Sequence, residues 1–130
     1  MSTTTYPNTV AWFEVPVTDI TRATKFYETV MEIKFELMEM EGTKMAVFPN
    51  PTNSATAVHG ALVEGDGYNP SSSDGPILYL YGGEDLTNPM SKVAAAGGKV
   101  LQEKISIGEH GFIGFFQDTE GNRMAFHSNN

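Results

Sequence analysis

One order of elements runs twice along this chain, and that repetition limits the fold more than any single residue does. Residues 10–17, VAWFEVPV, read as a strand closed by Pro16. Asp-Ile-Thr at 19–21 then opens a helix in which Ile20, Ala23, Phe26, Tyr27 and Val30 recur at helical spacing, with Thr18 or Asp19 as its cap. FELMEM (35–40) and KMAVFP (44–49) predict two short strands across a Glu41-Gly42 turn, and AVHGALVE (57–64) predicts a fourth. A second such start, Asp-Leu-Thr, stands at 85–87. Around it PILYLY (76–81) predicts a strand, and Leu86 to Ala96 a helix stopped by Gly97-Gly98. KVLQEKISI (99–107), FIGFFQD (112–118) and NRMAFHS (122–128) predict three more strands. Each half therefore reads β-α-β-β-β. Half-chains of about 60 residues are marginal alone, so an internal duplication with a shared core explains the pattern better than two separate lobes. The stretch GDGYNPSSSDGP (65–76), dense in Gly, Pro and Ser, is the connection between the halves.

Charge and cysteine content remove several classes of function. Sixteen Asp and Glu against eight Lys and Arg give a net charge of -8, with no basic cluster to meet phosphates, so nucleic acid is not an expected partner. The absence of Cys removes disulfides, thiol nucleophiles and thiolate metal sites together. The opening MSTTTYPNTV has no basic and apolar leader pattern, and no run reaches about 18 apolar residues. The expectation is a cytoplasmic protein with no membrane partner.

Three stretches in this order, WFEVPVTDITRATKFYETVM (12–31), SKVAAAGGKVL (91–101) and GFFQDTEGNRMAFHS (114–128), resemble the glyoxalase/bleomycin resistance/dioxygenase superfamily, also called the vicinal oxygen chelate superfamily. The likeness extends over roughly residues 9 to 128 and includes small bacterial glyoxalase-like domain proteins with no assigned reaction. It implies an α+β fold: one domain over 1–130 made of two βαβββ repeats, about 9–66 and 75–128, whose strands form a curled mixed sheet around a cavity. It also implies a homodimer, because drug-binding members commonly pair around a groove. It does not imply one activity, which must be read from the site.

In metal-dependent members of that family, His, Glu or Gln ligands stand on four cavity-facing strands. Carried onto this chain, those positions fall at Trp12, near Gly60, near Ile77 and at Ala125. None of these side chains offers a lone pair to a hard divalent cation. A slip of one residue at Gly60 brings in His59, but Trp12 and Ala125 still fail. His59, His110 and His127 show no H-x-H or H-x-x-x-H spacing. No metal and no other cofactor is expected.

Strand alternation selects the lining residues instead. If Trp12 faces the cavity, Glu14 does too, while Phe13, Val15 and Val17 pack under the helix. The same parity sends Tyr79 and Tyr81 inward with Ile77, and groups Arg123, Ala125 and His127 on one face of the last strand. Trp12, Tyr79, Tyr81 and Arg123 are then candidate ligand-binding residues, and Glu14 and His127 candidate general bases. Blander roles compete: Trp12 as a filler in place of the metal, Glu14 paired with Arg123, His127 as a strand-end residue. Asp118–Asn122 reads as a hairpin turn, with Asp118 bonding back to the backbone. The expected function is binding of a small organic molecule without the usual metal. The alternative is a lyase- or isomerase-type reaction using Glu14 or His127 as base.

Overall fold

The computed structural model describes residues 6, 8–50 and 57–130. Strand β1 (Trp12–Pro16) leads through helix α1 (Ile20–Met31) to β2 (Glu36–Met40), β3 (Thr43–Val47) and β4 (His59–Glu64). The second half follows with β5 (Tyr79–Tyr81), helix α2 (Thr87–Met90), β6 (Lys99–Ser106), a 3-10 turn at Gly108–His110, β7 (Phe112–Gln117) and β8 (Arg123–Ser128). Each half is a βαβββ module with its own mixed sheet, in the orders β1-β4-β3-β2 and β5-β8-β7-β6. β1 runs parallel to β4, with Trp12 opposite His59; β5 runs parallel to β8, with Tyr79 opposite Ala125. The remaining pairs are antiparallel.

The expectation of one sheet curled around a cavity is corrected by this topology. Two separate four-stranded sheets form, and neither rolls up or joins the other through a ladder. The reason lies in the connection. Between β4 and β5 the chain carries Gly65, Gly67, Pro70, Gly75 and Pro76, which weaken or interrupt strand pairing. The run 65–78 accordingly contains no strand, and β5 begins at Tyr79 rather than at Pro76.

The second helix is also shorter than its predicted span from Leu86 to Ala96. Beyond Met90 the regular ladder breaks up: Lys92 and Val93 bond three residues back, to the Pro89 and Met90 carbonyls, while Ala96 bonds four back, to Lys92. Turns then carry the chain to Gly97 (φ 103°) and Gly98. At the Glu41-Gly42 hairpin both central residues have positive φ, 47° and 83°, the twist that a two-residue connection requires.

The repeated Asp-[Ile/Leu]-Thr has a physical basis. The N–H of Ile20 donates to Glu64 Oε1 (2.8 Å), and the N–H of Leu86 to Ser128 Oγ (3.0 Å). Just before each helix, Val17 N–H donates to the Val63 carbonyl and Gly82 N–H to that of His127. Asp19 accepts from Arg22 N–H as the cap of α1, and Asp85 from Thr87 N–H in the second half. Both helices thus start from the end of a paired strand.

One core serves both modules. Val15, Val17, Phe26, Tyr27, Val30 and Leu62 from the first are buried in the same cluster as Leu80, Leu86, Val93, Phe116 and Phe126 from the second. Phe26 of α1 lies 6.1 Å, ring to ring, from Phe116 of β7, which stacks on Phe126 at 4.7 Å. Each such side chain contributes about 1.5–3 kcal/mol on full burial. The turn after β7 locks this arrangement. Glu120 Oε1 accepts from the backbone N–H groups of Thr18 and Asp19, both at 2.9 Å, and its Oε2 pairs with Arg22 Nε at 2.7 Å. Burial would raise the Glu120 carboxyl, but the donors from Arg22, Asp19, Thr18 and Thr119 outweigh it and hold the group at about 2.

Candidate ligand-binding cleft

A cleft of about 440 Å³ opens at the seam between the two modules. β1 contributes Phe13, Glu14 and Val15 to it, the connection contributes Ser71, Asp74 and the run 75–78, and the start of β8 contributes Asn122, Arg123 and Met124. Its position follows from the topology. β1 and β5 are each an edge strand of their sheet, and the irregular connection between the modules supplies one wall of the space.

That connection is pinned on both sides. The Tyr68 hydroxyl donates to Glu14 Oε1 at 2.9 Å, tying it to β1. On the other side Ser71 N–H donates to Asn122 Oδ1 (3.2 Å), and Arg123 N–H donates back to the Ser71 carbonyl (3.1 Å). Asn122 completes the frame by donating from Nδ2 to the Pro16 carbonyl at 2.7 Å. Glu14 Oε2 accepts from the Trp12 indole at 3.1 Å, so both its oxygens are engaged. The bond to Glu14 and the nearby negative charge push the Tyr68 hydroxyl up.

Of the six candidate residues, the cleft takes two, Glu14 and Arg123. The two do not pair. Glu14 is held by Trp12 and Tyr68, and among the described residues no ion pair or side-chain hydrogen bond engages the Arg123 guanidinium. Trp12, Tyr79 and Tyr81 follow the predicted parity but stand on the open faces of their sheets, 44%, 44% and 69% exposed. Trp12 is therefore no interior filler. Tyr79 meets the Phe115 ring edge-on at 5.9 Å. His127 lies outside the cleft, with its Nε2 2.6 Å from the His110 carbonyl. A carbonyl only accepts, so Nε2 carries the proton. Glu14 and His127 are not brought together.

The expected metal positions shift at two places, by one residue at Gly60 and by two at Ile77. Gly60 lies on the helix-facing side, where an added Cβ would stand 2.3 Å from the Phe13 ring, and His59 is the residue opposite Trp12. Likewise Tyr79, rather than Ile77, stands opposite Ala125. His59 Nε2 contacts Asn50 Nδ2 at 2.9 Å. The Trp12 indole has only a donor and Ala125 has no polar atom, so this set does not fit a divalent cation. Among the described residues no three of His, Asp and Glu are gathered closely enough to hold one.

Sequence reading missed Tyr68, Ser71 and Asn122 as the frame of the cleft. The available signal was Tyr68 itself, the one aromatic residue within the Gly-, Pro- and Ser-rich connection.

A family model described as Glyoxalase/Bleomycin resistance protein/Dioxygenase superfamily matches residues 9–126. A glyoxylase-like domain-containing protein of Didymella fabae is 30% identical over 123 residues, spanning 89% of this chain and 90% of that protein. The crystal structure of a glyoxylase/bleomycin resistance protein/dioxygenase domain from Frankia sp. EAN1pec superposes with a TM-score of 0.68 at 17% identity, covering 98% of this chain and 100% of that one. A glyoxalase-related enzyme from Fulvimarina pelagi gives 0.66 at 14% identity, over 92% and 87%. At such identities the structural likeness concerns the fold alone. No helix among the described residues is long and apolar enough to cross a membrane.

Proposed function

We propose, from the premise that this chain belongs to the glyoxalase/bleomycin resistance protein/dioxygenase superfamily, that it binds a small organic molecule in the cleft between its modules and does so without a divalent metal. The observation that carries this reading is the cleft itself. Its volume of about 440 Å³ suits a small ligand, and its walls combine Phe13, Val15, Leu78 and Met124 with a few polar groups, chiefly Glu14 and Arg123. Apolar walls supply the affinity and the polar groups set orientation.

Binding accounts for the geometry better than proton transfer does. Glu14 already accepts two hydrogen bonds, and His127, the other candidate base, stands apart from it. The exposed rings of Trp12, Tyr79 and Tyr81 belong to the same proposal as a surface for a second copy of the chain, closing the open sheet faces in a homodimer. Light scattering of the purified protein checks the dimer. The ligand reading is tested by a fragment screen followed by amide NMR. The expected shifts cluster at residues 13–15, 69–78 and 122–124; fragments that shift only other regions, or none that bind, would overturn it.

A further inference from the structure

We infer that Arg123 is the anchor of the cleft and that the ligand class it selects is small organic acids, with the carboxylate at the guanidinium and an apolar body against Phe13, Val15, Leu78 and Met124. This rests on the reading of the cleft as the ligand site. The first observation is charge: among the described residues Arg123 is the only Lys or Arg in the cleft lining. The second is its unspent bonding capacity. A guanidinium carries five donors in a planar fork, and among the described residues none of them meets an acceptor. The two carboxylates in the same lining have other partners: Glu14 accepts from Trp12 and Tyr68, and Asp74 Oδ2 accepts from Ser73 Oγ at 3.4 Å.

The third observation is positioning. Arg123 opens β8 directly after the Asp118–Asn122 turn, and its N–H is bonded to the Ser71 carbonyl at 3.1 Å. Its backbone is further tied into the β7 ladder opposite Gln117. The side chain therefore leaves a fixed backbone, half-buried, into a space with apolar walls. A planar oxyanion matches the fork bidentately, which a neutral amide cannot reproduce. The protein's net charge of -8 repels anions at long range, so selection must be made at contact.

The test uses the full chain with benzoate, phenylacetate and 4-phenylbutyrate, each beside its primary amide, titrated by amide NMR. At least one acid is expected to shift cleft residues, with its amide about 10- to 100-fold weaker, the range for a charge-assisted hydrogen bond. Arg123→Gln is expected to abolish that preference, and Arg123→Lys to retain part of it, with unchanged far-ultraviolet circular dichroism confirming that both fold. Amides that bind the cleft as well as acids, or acid binding that survives Arg123→Gln, would overturn the anchor while leaving the cleft reading in place. If neither acids nor amides shift cleft residues, both fall.

Discussion

The hydroxyl of Tyr27 donates a 2.6 Å hydrogen bond to Asp118 Oδ2, joining the buried face of α1 to the turn that precedes β8. Both residues are buried, and they come from different modules. Asp118 Oδ1 meanwhile accepts from the N–H groups of Glu120 and Asn122, each at 2.9 Å. Burial pushes the Asp118 carboxyl up, against the pull of its donors from Tyr27, Asn122 and Glu120. Burial, reinforced by Asp118, pushes the Tyr27 hydroxyl well up, so it remains a donor. This one carboxylate shapes the turn and fastens the two modules.

Tyr27→Phe removes one donor from a buried carboxylate and is expected to cost about 1–3 kcal/mol. With fewer donors the Asp118 carboxyl rises further. A carboxylate whose folded value is raised contributes stability that is present below its unfolded value and lost as pH rises through the folded one. The deficit against the native protein should therefore be larger at pH 7 than at pH 4. Urea denaturation at both values measures it, and equal deficits would contradict the account.

Glu120 has the opposite sign. Its carboxyl is lowered from 4.5 to about 2, so its stabilisation is present above 4.5 and lost as pH falls toward 2. Discounted for solvent screening at the half-exposed Arg22, the loss comes to about 2 kcal/mol. Glu120→Gln should be less stable than the native protein at pH 7, and its stability should fall less between pH 4.5 and 2. Thermal unfolding across that range decides the matter.

Gly60→Ala places a Cβ 2.3 Å from the Phe13 ring on the helix-facing side of β4. Overpacking of this kind costs about 1–3 kcal/mol. In a Phe13→Leu background the cost should shrink, because the clashing ring is gone. A double-mutant cycle by chemical denaturation reads the coupling directly.

Tyr68→Phe cuts the tie between the connection and Glu14. The site is exposed, so global stability should move by no more than about 0.5 kcal/mol. Amide exchange in residues 69–75 should nevertheless quicken, while exchange in the sheets stays unchanged. Uniform acceleration across the chain would mean that the bond serves the whole fold.

The strands and the start of α1 were legible in the sequence because they are local. Alternation placed Val15 and Val17 under the helix and put Trp12 and Glu14 together on the other face, expected as a cavity wall although Trp12 stands on an open sheet face. Asp19, one of the two expected caps, serves as the cap. The Asp118–Asn122 turn also forms as expected, with Gly121 at φ 87° and Asp118 bonded back to the backbone. What escaped were relationships across the chain. Glu120 lies 98 residues from Arg22, and Tyr68 lies 54 from Glu14, distances over which no periodicity survives. The separation of the sheets escaped for a similar reason: strand patterns tell which residues pair within a ladder, not whether two ladders meet. Glu14 and Arg123 were both picked out by parity, yet only the path of the connection explains why they share a cleft and Tyr79 and His127 do not.

The connection also has a consequence for divergence. The run 68–78 contributes one wall of the cleft, is held to Glu14 through Tyr68 and to Asn122 through Ser71, and lies in neither sheet. Adding or removing a residue there would change the size and outline of the compartment while leaving the strand registers, the helix starts and the common core intact. A change of ligand preference is thus available through loop length alone, at a place where the fold has the least to lose.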